Sequence, residues 1–128
     1  MLSRPIVDAM AAKDELGRRG EDEAVRYLEQ RGLVVLSRNW RCRDGELDVV
    51  ATDAAARLVV CEVKTRSGTR FGAPAEAVTG RKAATIRRVT QAWLAAHHVP
   101  WCEIRFDVVS VLMEPGRPAT LQHYEAAF

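Results

Sequence analysis

Four stretches between Leu33 and Leu112 have the apolar, β-branched character of strands, and three of them come in immediate succession. They are Leu33–Leu36, extending toward Trp40, then Gly45–Ala51, then Leu58–Thr65. Arg43-Asp44-Gly45 supplies a turn between the first two, and the polar, Ala-rich stretch 52–56 suits a hairpin link between the next two. Short links of this kind favour an antiparallel meander. A helix then runs from Thr79 or Gly80 to His97, stopped by Pro100, and leads into a strong fourth strand, Cys102–Leu112. A strand, a helix and a second strand joined in that way return parallel to the first strand, by a right-handed crossover. Pro115-Gly116 follows, and Ala119–Tyr124 is a candidate short edge strand.

One more helix is expected before the strands, from about Lys13 to Arg31, closed by Gly32 at the position after the cap, with residues 1–12 as a loose start. Gly17 and Gly20 lower the helix propensity of its first half and suit a close approach to a neighbouring element. In the later helix Ile86, Val89, Trp93 and Ala96 recur at helical spacing and form the core face. Arg81, Arg87, Arg88 and Gln91 lie largely off that stripe, and a short turn fits 74–78. The fold class is therefore α/β, a mixed β-sheet flanked by helices in the order α-β-β-β-α-β. A chain of 128 residues suits a single domain over 1–128.

The formal net charge of +2 permits nucleic acid as a partner without demanding it, and the positive residues gather in Lys64–Arg70 and Arg81–Arg88. Cys42, Cys61 and Cys102 are widely spaced with no Cys-x-x-Cys pair, which argues against zinc and for reduced thiols. No apolar run approaches the roughly 20 residues that span a bilayer. Nor does the start of the chain read as a secretory signal. A cytoplasmic protein with no membrane partner is expected.

The chemistry concentrates on two strands. In Gly45-Glu46-Leu47-Asp48-Val49-Val50 strict alternation sends Glu46 and Asp48 one way and Leu47 and Val49 the other. On the next strand Glu62 and Lys64 share a face, preceded by Leu58 and Val60. Paired as a hairpin, these strands bring Asp48 and Glu62 together at one edge of the sheet. Like charges so placed need a cation, and Mg2+ or Mn2+ bound by carboxylate oxygens, water and phosphate would supply it. Such an ion activates water and polarises a phosphodiester. Lys64 beside it would orient the attacking water and offset charge growing on phosphate. Glu21 falls on the sheet-facing side of the first helix, placed to reach the ion through water or to hold a ligand. Lys82, near a helix start, suits a phosphate contact.

Each piece alone is ordinary: a Glu-x-Lys pair or a basic helix face is usually a solvated surface. His97 and His98 close a helix, where a charged ring opposes the dipole, and His123 reads as structural or exposed. Trp40, Trp93 and Trp101 read as core or partly buried anchors. Asp107 is expected to pair with Arg105 or a basic helix residue, or to lie near the site.

Taken in order, Gly17-x-x-Gly20-Glu21-x-x-Ala24, Gly45-Glu46-Leu47-Asp48-Val49-Val50 and Glu62-Val63-Lys64-Thr65-Arg66 resemble the bacterial YraN-like family. Phe71–Val78, Lys82 and Arg105-Phe106-Asp107-Val108-Val109 extend the match, which covers most of the chain. The resemblance implies a restriction-endonuclease-like, PD-(D/E)XK fold similar to that of archaeal Holliday-junction resolvases. It implies that Glu21, Asp48, Glu62 and Lys64 occupy the positions of that metal site; Arg66, Arg81 and Lys82 are the candidate nucleic-acid contacts. Leu47 stands where the wider superfamily often has Pro, which leaves Glu46 as a competitor of Asp48 for the first ligand place. A fold is not an activity. A metal-dependent endonuclease acting on branched or damaged DNA, for which a homodimer would supply the two sites a junction needs, stands beside two alternatives: a nucleic-acid-binding module with little catalysis, and a protein-interaction adaptor.

Overall fold

The computed structural model describes residues 3–67 and 78–128, the side chains of 4–13 excepted. Helix α1 spans Arg4–Gln30, so it begins well before Lys13 and takes in most of the stretch expected to be loose. Pro5 suits the first turn, where no intrahelical N–H is needed, and the Ala-rich stretch after it has high helix propensity. At its other end the Gly32 N–H donates to the Glu29 carbonyl at 3.0 Å and the Leu33 N–H to Leu28 at 3.1 Å. Gly32 adopts a φ of +90°, the left-handed conformation this type of helix stop requires.

The strands are β1 (Val34–Cys42), β2 (Gly45–Thr52), β3 (Leu58–Ser67), β4 (Ile104–Met113) and β5 (Thr120–Tyr124), with α2 (Gly80–Ala96) between β3 and β4. They form one sheet in the order β1-β2-β3-β4-β5. The β1–β2–β3 pairs are antiparallel, β3–β4 is parallel and β4–β5 antiparallel, so the expected meander and crossover are both present. The edge strand expected near Ala119 is β5. This mixed sheet with a helix on each face is the restriction-endonuclease-like arrangement. The turn expected at 74–78 and the loop before it fall on 68–77, outside the described residues.

β3 lies at the centre, and its first five residues are all buried, as suits a strand covered on both faces. On one face Val49, Cys61, Val109 and Val111 pack with Ala24, Val25 and Leu28 of α1. On the other, Leu47, Val50, Leu58, Val60 and Phe106 pack with Ile86, Val89, Trp93 and Leu94 of α2. Each such side chain contributes roughly 1.5–3 kcal/mol when fully buried. The core face of α2 differs from expectation at its end: Leu94 and Thr90 are buried and Ala96 is exposed. The Thr90 hydroxyl is satisfied by donating to the Ile86 carbonyl at 2.7 Å. Gly20 is buried against β3, and a Cβ there would stand 1.9 Å from Thr65 Oγ1. The close approach expected of the glycines is thus real at Gly20, whereas Gly17 faces open space.

Candidate metal centre

The site lies where β2 and β3 part. Their ladder runs from Thr52↔Leu58 to Val49↔Cys61 and stops. The next side chain on β2 is Asp48, and its Oδ2 accepts the Val63 N–H at 2.9 Å. A side-chain carboxylate thus takes the backbone donor at the mouth of the fork. Strict alternation fails here. Leu47 packs on the α2 side with Val50, while Val49 packs on the α1 side. Leu47 and Val49 therefore do not share a face as the simple strand pattern had them. Asp48 thus sits where the alternation breaks, just beyond the end of the β2–β3 ladder.

Glu62 and Lys64 occupy the α2 side of β3, as their spacing predicts. Glu62 is only 3% exposed. Its Oε2 meets Lys82 Nζ at 3.4 Å. Its Oε1 is buried with no hydrogen-bond partner among the described residues. Lys82 reaches it because Thr79 caps α2, its side chain accepting the Lys82 N–H at 3.2 Å, which sets the first turn beside β3. Lys82 was expected only to touch phosphate near a helix start. In the folded chain it is the direct partner of Glu62.

These groups perturb one another. Burial, then the negative charge of Glu62, push the Asp48 carboxyl up to about 7, against the opposing Val63 N–H. Burial also raises Glu62, with Lys82 pulling the other way. Lys64 is lowered, first by burial and then by the adjacent Lys82 ammonium. For Lys82 burial is outweighed by Glu62 and its other contacts, so its pKa is raised. Two carboxylates and two lysines in one half-buried cluster are costly to keep together unless the arrangement serves binding or chemistry.

Glu21 stands at the rim, on α1. Its Oε2 accepts from Asn39 Nδ2 at 2.9 Å, and burial raises its pKa, with the Asp48 charge adding to the rise. Asn39 went unremarked in the sequence. Its signal was an Asn within a strand, a residue depleted there but tolerant of left-handed backbone, and it has a φ of +50°. Glu46 is exposed and ion-paired to Arg41 at 3.0 Å, so of the two β2 acids Asp48 is the one in the cluster. Arg66 is half-buried farther along β3, and Arg81 is exposed on the first turn of α2.

Among the described residues no three His, Cys, Asp or Glu side chains converge as a ready-made metal cage. Magnesium does not require one, since one or two carboxylates with water and substrate phosphate commonly complete its shell. Asp48 and Glu62 are hard oxygen donors, and Glu62 Oε1 has no hydrogen-bond partner among the described residues. The donor set therefore fits Mg2+ or Mn2+, with Asp48 and Glu62 as the residues that would hold it.

Two other expectations resolve away from this site. Asp107 accepts two hydrogen bonds from Arg105, each at 2.9 Å, and stands 2.8 Å from His123 Nε2. His123 is thus structural, with Tyr27 at its other nitrogen. Trp93 is core and Trp40 partly buried, but Trp101 is 84% exposed and anchors nothing in the core. Among the described residues no helix is long and apolar enough to cross a membrane.

A profile described as uncharacterised protein family UPF0102 matches residues 20–111, a span that contains every residue of the cluster. The chain is 59% identical to a UPF0102 protein of Frankia alni over 94% of its own length and 99% of the relative's. It is 50% identical to a UPF0102 protein of Nocardia farcinica over the full length of both. A UPF0102 protein of Mycolicibacterium smegmatis is 51% identical over 85% of the chain and 89% of the relative.

Proposed function

The chain belongs to the uncharacterised protein family UPF0102, and we propose that it is a metal-dependent endonuclease that hydrolyses phosphodiester bonds in DNA. The observation that carries the reading is Glu62. A buried carboxylate oxygen without a hydrogen-bond partner among the described residues, beside a second carboxylate whose pKa its charge raises, supports an O-donor cation site. A divalent ion bound there would polarise the phosphodiester and lower the pKa of an attacking water.

The chain's own groups have distinct tasks in this reading. Asp48 is held by the Val63 N–H, so its carboxylate is oriented in advance. Glu62 is held by Lys82, whose charge opposes the rise that burial imposes on its pKa. Lys64, with its proton loosened by burial and by Lys82, donates to a phosphate oxygen or to the attacking water. Glu21, steadied by Asn39, orders water at the rim. Arg66, Arg81 and the far side of Lys82 contact the phosphate backbone. Branched or damaged DNA is the proposed substrate class, and a homodimer would present two such sites to a junction.

One observation favours a second reading. The Lys82–Glu62 contact itself offsets the Glu62 charge, which is compatible with a nucleic-acid-binding module that cuts little. The experiment that separates them is cleavage of labelled single-stranded, duplex, flap and four-way-junction DNA, and of RNA, with magnesium, manganese or chelator. Metal-dependent cutting that disappears in Glu62→Ala and Lys64→Ala is the expected result. Binding without cutting under every condition would transfer the assignment to the binding module, and neither would remove both.

A further inference from the structure

Farther along α2 from the metal centre lies a second groove. It has a volume of about 460 Å³ and is lined by Arg87, Arg88, Gln91, Trp101, Ile104 and Phe106, with Cys102 beside them. Trp101 is the most exposed large apolar side chain among the described residues, and its indole stands open to solvent. A single exposed apolar side chain is ordinary; what sets this one apart is the arginine-lined groove it borders. Among the described residues no acid lines the groove. Arg87 lies over the Phe106 ring at 4.6 Å and the Phe128 ring at 6.0 Å, which holds its guanidinium in place by cation–π contact without cancelling its charge. Among the described residues no carboxylate is paired with Arg87 or Arg88. The nearby Glu103 carboxylate instead approaches Arg57, at 3.9 Å.

We propose that this groove binds a single-stranded nucleic-acid arm, with Trp101 as the stacking platform for a base and Arg87 and Arg88 on the flanking phosphates. The pairing of an aromatic face with unneutralised cations is the chemistry that holds single strands. Within a double helix the base faces are stacked on one another, which leaves only the terminal pair to offer Trp101. The geometry also connects the groove to the metal centre. Lys82 and Arg88 stand on the same helix, about 9 Å apart along its axis at about 1.5 Å per residue. Arg81 and Arg88 are both exposed and, seven positions apart, share one side of α2. An arm leaving the cluster would therefore run along a basic helix face to reach Trp101. This inference rests on the nuclease reading for its biological sense, but the binding it asserts is measured without cleavage.

The test is fluorescence anisotropy of a fluorescein-labelled oligodeoxythymidine and of a blunt duplex, in chelator so that nothing is cut. The proteins are the full chain and its Trp101→Ala, Trp101→Phe and Arg88→Gln variants. Trp101→Ala should weaken single-strand binding about tenfold, the loss of one stacked base, while Trp101→Phe retains most of it. Arg88→Gln should reduce the slope of log K against log salt by about 0.7, the value for one phosphate contact on a single strand. Duplex binding should be unchanged by Trp101→Ala. Thermal melts of all variants should coincide with the parent, since Trp101 is on the surface. The proposal is overturned if the full chain does not bind the single strand, or if Trp101→Ala binds it as the parent does. It is equally overturned if Trp101→Ala leaves strand binding intact but shifts sedimentation from dimer to monomer, which would make the groove a contact between copies of this chain. Cleavage absent from the labelled panel with strand binding intact would count against the nuclease reading alone.

Discussion

At Asp48 two forces oppose each other: burial and Glu62 favour the neutral acid, while the Val63 N–H favours the carboxylate. Burial prevails, and the pKa rises to about 7 from 3.8. A carboxyl whose native pKa is raised stabilises the fold below its unfolded pKa and loses that contribution as pH climbs through the native value. Metal-free protein should therefore melt progressively lower as pH rises from about 4 to about 7, and Asp48→Asn should flatten that slope in calorimetry. A divalent ion, which needs the ionised form, should reverse the trend, with the largest rise in melting temperature above pH 7. An equal metal-induced shift in Asp48→Asn would remove Asp48 from the ligand set. Asp107 has the opposite sign. Burial raises it, but His123, Arg105 and the Ala126 N–H outweigh burial and hold it below 3.8. Its contribution is present at neutral pH and is lost as pH falls through the native value. Asp107→Asn leaves the Arg105 guanidinium with only the more exposed Glu125 carboxylate, at 3.7 Å, and should cost about 3 kcal/mol in denaturant titrations.

At the scale of elements, contact between α1 and β3 depends on what Gly20 lacks. Gly20→Ala places a methyl on Thr65, and the helix or the strand must shift, at a cost of about 1–3 kcal/mol. Thr65→Ser or Thr65→Ala in the same protein should recover part of the loss, and an additive double-mutant cycle would show that the two residues do not meet. The end of α2 carries a different strain. His98 N donates to Ala95 and Val99 N to Leu94, the same stop that Gly32 makes for α1, yet His98 must adopt a φ of +54° to form it. A side chain in that conformation costs roughly 1–2 kcal/mol. His98→Gly should raise stability by up to about 1 kcal/mol, read as a higher urea midpoint with an unchanged slope. The cap at the other end matters for the site as well. Thr79→Ala should cost about 1 kcal/mol and loosen Lys82 against Glu62.

At the scale of the whole molecule, α2 spans the distance between two features that the chain order keeps far apart: the cluster at Glu62 and the exposed Trp101. Its N-terminal turn delivers Lys82 to the end of β3, and its C-terminal end feeds the start of β4, because β3 and β4 are parallel. The crossover thus dictates that one helix face links the two. If the molecule uses that face as a track, its affinity for DNA with a single-stranded arm should exceed its affinity for blunt duplex. That preference should disappear in Trp101→Ala while Glu62→Ala leaves it intact, in anisotropy measured with chelator.

Much of this protein is legible in one dimension. The element order, the parallel return after α2 and the sharing of a face by Glu62 and Lys64 follow from apolar periodicity and from the short range of turns and crossovers. These are local quantities, and the sequence by itself determined them. It did not determine the start of α1, where a propensity-rich stretch without a clear apolar stripe was read as loose. Nor did it determine the face change across Asp48, which arises where β2 parts from β3 and the period of two no longer holds. The grip of Lys82 on Glu62, the support of Glu21 by Asn39 and the exposure of Trp101 were decided by the tertiary structure alone. Each depends on how one element is set against another, and no pattern within a single element encodes that distance.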